Sequence, residues 1–143
     1  MPATLFWECL LRIFLAALCG LVIGFERKAR LKEAGVRTHL IVALGAALIT
    51  IVSKYGFFDL ALFAEGIKAD PTRIAAQIVR GVGFLGAGMI FMRHRTLTGL
   101  TTAAGIWTTA GIGMAVGCGL YAVSLFSTAL VVLTPVSYTH LTL

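Results

Sequence analysis

Apolar and polar residues are distributed along this chain in long blocks rather than in short alternation. Five blocks are almost wholly apolar, and short charged or glycine-containing stretches separate them. A helix of about 20 residues crosses the hydrocarbon layer of a membrane, so blocks of this kind predict spanning helices. The pattern therefore predicts an all-α, polytopic membrane bundle of about five helices, at residues 5–25, 38–53, 71–92, 100–116 and 120–133.

The composition supports a membrane protein. Of the 143 residues, 59% are hydrophobic and only 13% are charged, whereas soluble domains carry about 25% charged residues. The mean hydropathy is +0.95. The net charge of +6 lies at the ends of the apolar blocks, where it sets orientation in a bilayer, so we expect no nucleic-acid partner. The expected location is an inner or plasma membrane.

The charged loops predict an orientation. Residues 26–37 carry the densest positive charge of the chain, and by the positive-inside rule this loop is cytoplasmic. Arg93 and Arg95 close the third span on the same side. Five spans then place the N-terminus outside and the C-terminus in the cytoplasm.

Two units are expected along the chain. Residues 1–134 form the transmembrane domain, with the fifth span ending at Pro135. Residues 135–143 have no helical pattern and resemble a sequence that recurs at the ends of unrelated assembled reading frames. We expect this tail to be unstructured and foreign, and the natural protein to continue beyond residue 134.

The third span carries a polar stripe. Asp70, Arg73, Gln77 and Arg80 follow one another at helical spacing, and Asp70 is placed to cap the helix before Pro71. An arginine as deep as Arg80 costs about 2.5–3.5 kcal/mol on insertion scales. Its guanidinium could meet backbone carbonyls, a carboxylate of another protein, or an anion in a cavity.

Glycines predict close helix packing. Residues 81–86 match G-x-G-x-x-G, but a nucleotide site needs that motif between a strand and a helix and an acidic residue about 20 positions later. Position 106 is Ile106, and no strand precedes the motif, so we expect no nucleotide. Small residues let membrane helices approach one another. The expected packing glycines are Gly20, Gly24, Gly81, Gly83, Gly86, Gly88 and Gly105.

Other polar residues suggest pairing rather than chemistry. Glu8 and Arg12 stand four apart and can form an ion pair, and Thr102 and Thr109 share one face of the fourth span. The three cysteines lie in apolar segments, without metal-ligand spacing. No catalytic set occurs, so we expect neither enzyme activity nor a cofactor. A weak surface magnesium site remains conceivable at Asp59, Glu65 and Asp70, since magnesium prefers carboxylates.

Several motifs together resemble the MgtC/SapB family, in its N-terminal membrane domain. They are GLVIGFER at 20–27, GVRTH at 35–39, DPTR at 70–73, GVGFLGAG at 81–88 and GLTTAA at 99–104, followed by Ile106 and Trp107. The resemblance implies a non-enzymatic regulator of membrane ATPases or membrane potential, linked to growth at low magnesium and to survival inside host cells. With the polar stripe added, the candidate functional residues are Glu26, Arg27, Arg37, Thr38, His39, Asp70, Arg73, Gln77, Arg80, Thr101 and Thr102.

Two departures from that family accompany the resemblance. Many members carry a cytoplasmic, small-molecule-sensing domain after the membrane domain, which residues 1–143 do not include, and the position of Arg80 usually holds a small or polar residue. The leading hypothesis is a regulator that acts through helix contacts, as a homo-oligomer or on another membrane complex. The alternative is a small ion transporter or channel, magnesium-linked, built around the stripe.

Overall fold

The computed structural model describes residues 1–63, 66 and 70–141. In this part the chain is helical apart from one short hairpin. The elements are α1 (Ala3–Ala29), α2 (Val36–Tyr55), α3 (Phe58–Phe63), α4 (Thr72–Gly88), β1 (Phe91–Arg93), β2 (Thr96–Thr98), α5 (Leu100–Gly117) and α6 (Tyr121–Leu141).

The prediction of helices is confirmed, and the helices follow one another in the predicted order. Each of the five predicted spans coincides with one helix, namely α1, α2, α4, α5 and α6. By length and composition, two helical segments, Ala3–Ala29 and Val36–Leu60, are apolar and long enough to cross a membrane. The short α3 lies between the second and third predicted spans, and Phe58 and Phe63 on it are exposed.

Helices α2 and α5 form the centre of the bundle. α1 packs against both, α4 packs against both from another side, and α6 contacts α5 and α1. One apolar cluster joins α1, α2 and α5 around Ile23, Ala47 and Val116. A second joins α2, α4 and α5 around Ile78 and Ile106.

Close packing at glycine is confirmed on α1. A Cβ added to Gly20 would lie 2.4 Å from the carbonyl oxygen of His39, and one on Gly24 would lie 2.4 Å from the Cα of Val36. On α5, a Cβ on Gly113 would come within 2.3 Å of the Ala43 oxygen. Helices α1 and α5 thus contact α2 closely at glycine positions where there is no room for a side chain.

The glycines predicted to pack on the third span differ in their surroundings within the described chain. A Cβ on Gly81, Gly83 or Gly88 would meet nothing within 4 Å in the described chain, whereas one on Gly86 would lie 3.5 Å from the Ala103 oxygen. The physical reason is the direction of the helix: α4 turns Ile78, Val82 and Gly86 toward the bundle, and the other glycines point away. Gly105, similarly, has only the Cε1 of His39 near it, at 3.7 Å.

The third span is also shorter than predicted. It ends at Gly88 instead of residue 92, and the chain then pairs Phe91 with Thr98 and Arg93 with Thr96 in an antiparallel hairpin. His94 and Arg95 form its two-residue turn with φ of 49° and 67°, as expected of a tight type I′ hairpin turn. At Gly99, φ is 84° and an added Cβ would lie 1.8 Å from the Met89 oxygen, so glycine is required where the hairpin closes.

Helix α6 continues through Pro135 to Leu141, where the sequence predicted an unstructured tail. A proline lacks its own amide hydrogen and crowds the carbonyl four residues earlier. In an apolar setting, however, leaving the helix would expose every following amide, so helices tolerate proline there. Residues 142 and 143 lie outside the described part.

Candidate functional sites in the helix bundle

A buried polar cluster lies where the end of α1, the start of α2 and the first half of α5 meet. Gly20, Gly24 and Arg27 fall on one face of α1, so the close contact with α2 carries the Arg27 side chain inward. Arg27 is 7% exposed and its Nη2 donates to the Oγ1 of Thr102 at 2.5 Å. The Thr102 hydroxyl on α5 thus binds the Arg27 guanidinium inside the bundle, although the two residues are far apart in sequence.

His39 completes this cluster from α2. Its ring is fully buried, and its Nδ1 lies 2.8 Å from the Oγ1 of Thr109. That hydroxyl donates its single hydrogen to the Gly105 carbonyl at 2.7 Å, so the histidine Nδ1 must be the donor to Thr109. The hydrogen-bond network thus assigns the Nδ1–H tautomer, which leaves a lone pair on Nε2.

Two atoms of the cluster are buried without a hydrogen-bond partner in the described part of the chain. They are the Nε of Arg27 and the Nε2 of His39. Buried polar atoms are nearly always hydrogen-bonded, so these two atoms make the cluster a candidate functional site. Glu26 does not supply the missing partner, because its carboxylate pairs with Arg30.

The structure therefore brings together only some of the predicted motif residues. Arg27, His39 and Thr102 share the cluster, and Thr109, predicted to lie on the face of Thr102, joins them. Other motif residues are exposed and lie outside the cluster: Arg37, Thr38, Thr101, Asp70, Arg73, Gln77 and Arg80.

A second buried arginine, Arg12, lies in the first half of α1, away from the cluster. Arg12 is 5% exposed and pairs with Glu8, as the sequence spacing predicts. It also donates to the Tyr55 hydroxyl at 3.1 Å, to the Tyr121 hydroxyl at 3.3 Å and to the Gly117 carbonyl at 2.9 Å. Together these contacts tie α1 to the ends of α2, α5 and α6.

Sequence reasoning missed the two tyrosines and the carbonyl. They are separated from Arg12 by 43, 105 and 109 positions, so no local spacing indicates them. One feature of the sequence could have indicated these contacts. Tyr55, Gly117 and Tyr121 each lie at an end of an apolar block, and these ends fall on the side of the bundle where Arg12 lies.

The start of α4 is held as predicted. Asp70 Oδ1 accepts hydrogen bonds from the backbone amide of Thr72 at 2.9 Å and from its hydroxyl at 2.6 Å. These bonds, chiefly the one from the hydroxyl, hold the pKa of the Asp70 carboxyl below its ordinary value of 3.8. From α2, Ser53 donates to the Pro71 carbonyl and accepts from the Ala75 amide.

The polar stripe of α4 points away from the bundle. Arg73, Gln77 and Arg80 are exposed and lie opposite Ile78 and Val82, which pack inward. Within residues 1–63, 66 and 70–141, Arg80 forms no hydrogen bond or ion pair. In the described part of the chain, Arg80 therefore does not pair with backbone carbonyls, which were one of the three possible partners considered for it.

No metal centre is evident in the described part of the chain. No group of three or more His, Cys, Asp or Glu side chains there could hold a metal ion. Of the three carboxylates considered for magnesium, Glu65 lies outside the described residues.

Comparison with known proteins gives the affiliation. Residues 13–142 match the model of the MgtC family. YhiD of Escherichia coli K12, named as a candidate magnesium transporter, is 47% identical over 126 residues, or 88% of this chain and 58% of the relative. SapB of Bacillus subtilis is 39% identical over 132 residues, covering 92% and 56%. MgtC of Brucella abortus is 47% identical over 89 residues, covering 62% and 34%.

The chain thus spans less than two thirds of the length of these relatives. No solved structure matches it. The match to the family model begins at residue 13, so it covers most of the helices described above and includes Arg27 but not Arg12. On these grounds the chain belongs to the MgtC family.

Proposed function

We propose that this protein is a non-enzymatic, multi-pass protein of the bacterial inner membrane that regulates another membrane protein through helix contacts. The regulated process is membrane ATPase activity or membrane potential during adaptation to low magnesium, including survival inside host cells. The family membership, the apolar composition and the two long apolar helices support this proposal. The expected topology has the loop between α1 and α2 in the cytoplasm.

The single observation that carries the proposal is the outward face of α4. Gly81, Gly83 and Gly88 have open space where a side chain would be, although α4 is one of the helices that pack on the centre of the bundle. Bare glycines on a membrane helix give a groove into which a second helix can fit closely. Gly81 and Gly88, which are seven positions apart and therefore on one side of α4, thus form a surface suited to a partner.

Arg80 indicates the chemistry of that partner. Its guanidinium is exposed on the same side of α4, in the middle of a helix about 26 Å long. Facing lipid, it would cost about 2.5–3.5 kcal/mol, and a carboxylate on a partner helix offsets this cost. A second copy related by twofold symmetry would instead bring Arg80 near Arg80, so a different membrane protein with a buried carboxylate is the better partner than a homodimer.

Site-specific cross-linking tests the proposal. A photoreactive side chain at Gly81 or Gly88 should give one discrete cross-linked product in cell membranes, while the same group at Gly111 on α5 should not. Gly111 is the matched control because a Cβ there also meets nothing within 4 Å. Arg80→Glu should reduce the product. Equal products from both helices, or none from α4, would overturn the proposal.

Magnesium-linked transport is the second candidate, and the name of the E. coli relative favours it. Transport would bring a divalent cation past the α4 stripe, where exposed arginines repel cations. Flux into proteoliposomes separates the two candidates. Magnesium uptake that Arg80→Ala abolishes would support transport, and uptake no greater than in empty liposomes would support regulation.

A further inference from the structure

The hairpin formed by β1 and β2 presents an apolar pair on one of its faces. Met92 and Leu97 stand opposite each other in the register, and side chains opposite each other in an antiparallel pair lie on the same face. Met92 is 73% exposed and Leu97 is 65% exposed. The described part of the chain therefore leaves this pair largely uncovered.

The tip of the hairpin is basic. His94 and Arg95 form the turn, and both are exposed. Their φ angles of 49° and 67° lie in the left-handed region, where glycine and asparagine are the favoured residues of such turns. Two basic side chains thus occupy positions that their own backbone preference does not explain. An apolar face next to basic residues is typical of segments that lie in the plane of a membrane interface.

The lengths of the flanking helices place the hairpin at the depth of such an interface. α4 has 17 residues and α5 has 18, so each helix is about 26–27 Å long. The hydrocarbon layer of a membrane is about 30 Å thick. If α4 and α5 span the membrane, the hairpin that joins them therefore begins near the edge of this layer. Open sheet edges do not occur inside the hydrocarbon, so the hairpin fits the interface and not the interior.

The base of the hairpin is fixed to these two helices. The Thr98 hydroxyl donates to the Phe91 carbonyl at 3.1 Å. The Gly99 backbone lies so close to Met89 that an added Cβ would be 1.8 Å from the Met89 oxygen. Both contacts cross from the β1 side to the β2 side, so the position of Met92 and Leu97 follows from the ends of α4 and α5.

The loop after α1 extends the apolar surface. Leu31 and Lys32 border the same open cavity as Leu97 and Leu100, so this loop lies beside the hairpin. Leu31 is 94% exposed and Leu100 is 61% exposed. An exposed apolar surface surrounded by polar residues marks a site of interaction with a membrane or a protein.

The charge of this end of the bundle distinguishes between a membrane and a second copy. Within residues 26–37, the exposed basic residues outnumber the exposed acidic one, while Glu26 pairs with Arg30. Basic residues beside a membrane attract the anionic lipids of the cytoplasmic leaflet. A second copy on the same surface would instead bring like charges together, which is unfavourable. The exposed residues in question are Lys28, Lys32 and Arg37, against Glu33.

We propose that Met92 and Leu97 insert into the cytoplasmic leaflet at the boundary between headgroups and acyl chains, with the His94–Arg95 turn among anionic headgroups. The partner of this hairpin is thus the lipid surface of the protein's own membrane. The proposal rests on the membrane topology of the proposed function, but not on the regulatory role or on the partner of α4.

Spin labels in reconstituted bilayers test this placement. The full chain carries one introduced cysteine, Met92→Cys, Leu97→Cys or Arg95→Cys, with Cys118→Ser to remove the exposed native cysteine. Power saturation compares collisions with oxygen, which concentrates in the bilayer, and with a water-soluble nickel chelate. Labels at Met92 and Leu97 should favour oxygen and lie about 5–10 Å into the interface, whereas the label at Arg95 should favour nickel.

Phe14 supplies the control for the membrane topology. It is exposed near the middle of α1, so the label of Phe14→Cys should favour oxygen in any bundle that spans the bilayer. Nickel access at Met92 and Leu97, with oxygen access at Phe14, overturns the hairpin placement alone. Nickel access at all three positions overturns the topology and the placement with it. Protection of Met92 and Leu97 from both reagents would show that protein covers the pair, which also overturns the proposal.

The lipid composition tests the role of charge. The label at Met92 should lie deeper in vesicles that contain phosphatidylglycerol than in pure phosphatidylcholine, and Arg95→Glu should reduce this difference. Lys54→Glu is the matched control, because Lys54 is exposed in the last turn of α2, at the end opposite the basic loop. Equal depths in the two lipids, or equal effects of the two variants, would overturn the assignment of anionic headgroups to the turn. The cross-link at α4 is independent of these results.

Discussion

The Nη2 of Arg27 donates to the Oγ1 of Thr102 across 2.5 Å, joining the end of α1 to the first turn of α5. The contact spans 75 positions of sequence and gives the buried Arg27 guanidinium a hydroxyl acceptor, while the carboxylates of Glu26 and Glu33 also act on its charge. The hydroxyl therefore helps to hold the end of α1 against the start of α5.

Thr102→Val should destabilise the bundle by about 1–3 kcal/mol, because it leaves a buried charged donor unsatisfied. Thr102→Ser keeps the hydroxyl and should recover most of the loss. Chemical unfolding in detergent, followed by circular dichroism, measures both variants. Thr101→Val is the control, since Thr101 is exposed beside it; an equal loss there would contradict the role of the contact.

Gly20→Ala should also destabilise the protein, for a steric reason. Its Cβ would lie 2.4 Å from the His39 oxygen, so α1 and α2 must separate, and overpacking of this kind costs about 1–3 kcal/mol. Gly111→Ala has open space and should leave the unfolding midpoint unchanged or higher, because alanine favours a helix over glycine. Thermal unfolding compares the two, and a loss at Gly111 as large as that at Gly20 would refute the packing argument.

The Arg12 network predicts a graded series. Tyr121→Phe removes one hydrogen bond, at 3.3 Å, and should cost about 0.5–1.5 kcal/mol, while Arg12→Met leaves two hydroxyls and the Gly117 carbonyl without this donor and should cost more. Unfolding measured in the same detergent ranks the variants. A larger effect from Tyr121→Phe than from Arg12→Met would show that the arginine is not the centre of the network.

The Asp70 cap predicts a dependence on pH. Because hydrogen bonds lower the pKa of this carboxyl below 3.8, the ionised cap stabilises the start of α4 above pH 3.8 and is lost as the pH falls through the lowered value. The mobility of a spin label at the exposed Ala76 should therefore rise on acidification. Asp70→Asn should remove most of this dependence; an unchanged titration in that variant would assign it to another group.

The sequence predicted what depends on local spacing. Apolar blocks placed five helices, and a separation of four residues identified the Glu8–Arg12 pair. It did not predict the hairpin, because His94 and Arg95 adopt positive φ without the glycine or asparagine that usually indicates such a turn. Nor could it distinguish the inward Gly86 from the outward Gly81, since glycine is equally suited to a contact within the chain or with a partner.

Arg80 should make opposite contributions to the stability of the protein and to its association. Arg80→Leu removes a charge that the isolated protein exposes in the middle of α4, so the variant should insert into bilayers more readily, by an amount up to about 2.5–3.5 kcal/mol. The same change removes the group that pairs with a partner carboxylate, so the cross-link from Gly81 should disappear. Glycosylation-based insertion assays and the cross-linking yield measure the two effects.

Arg73→Leu provides the comparison for this last prediction. Arg73 lies in the first turn of α4, beside the exposed Asp70, where a long cationic side chain can reach the interface. Its replacement should change insertion little and leave the cross-link in place. If Arg80→Leu instead destabilised the isolated protein, its guanidinium would have a structural partner within the chain, and the assignment of the outward α4 face to another protein would be wrong.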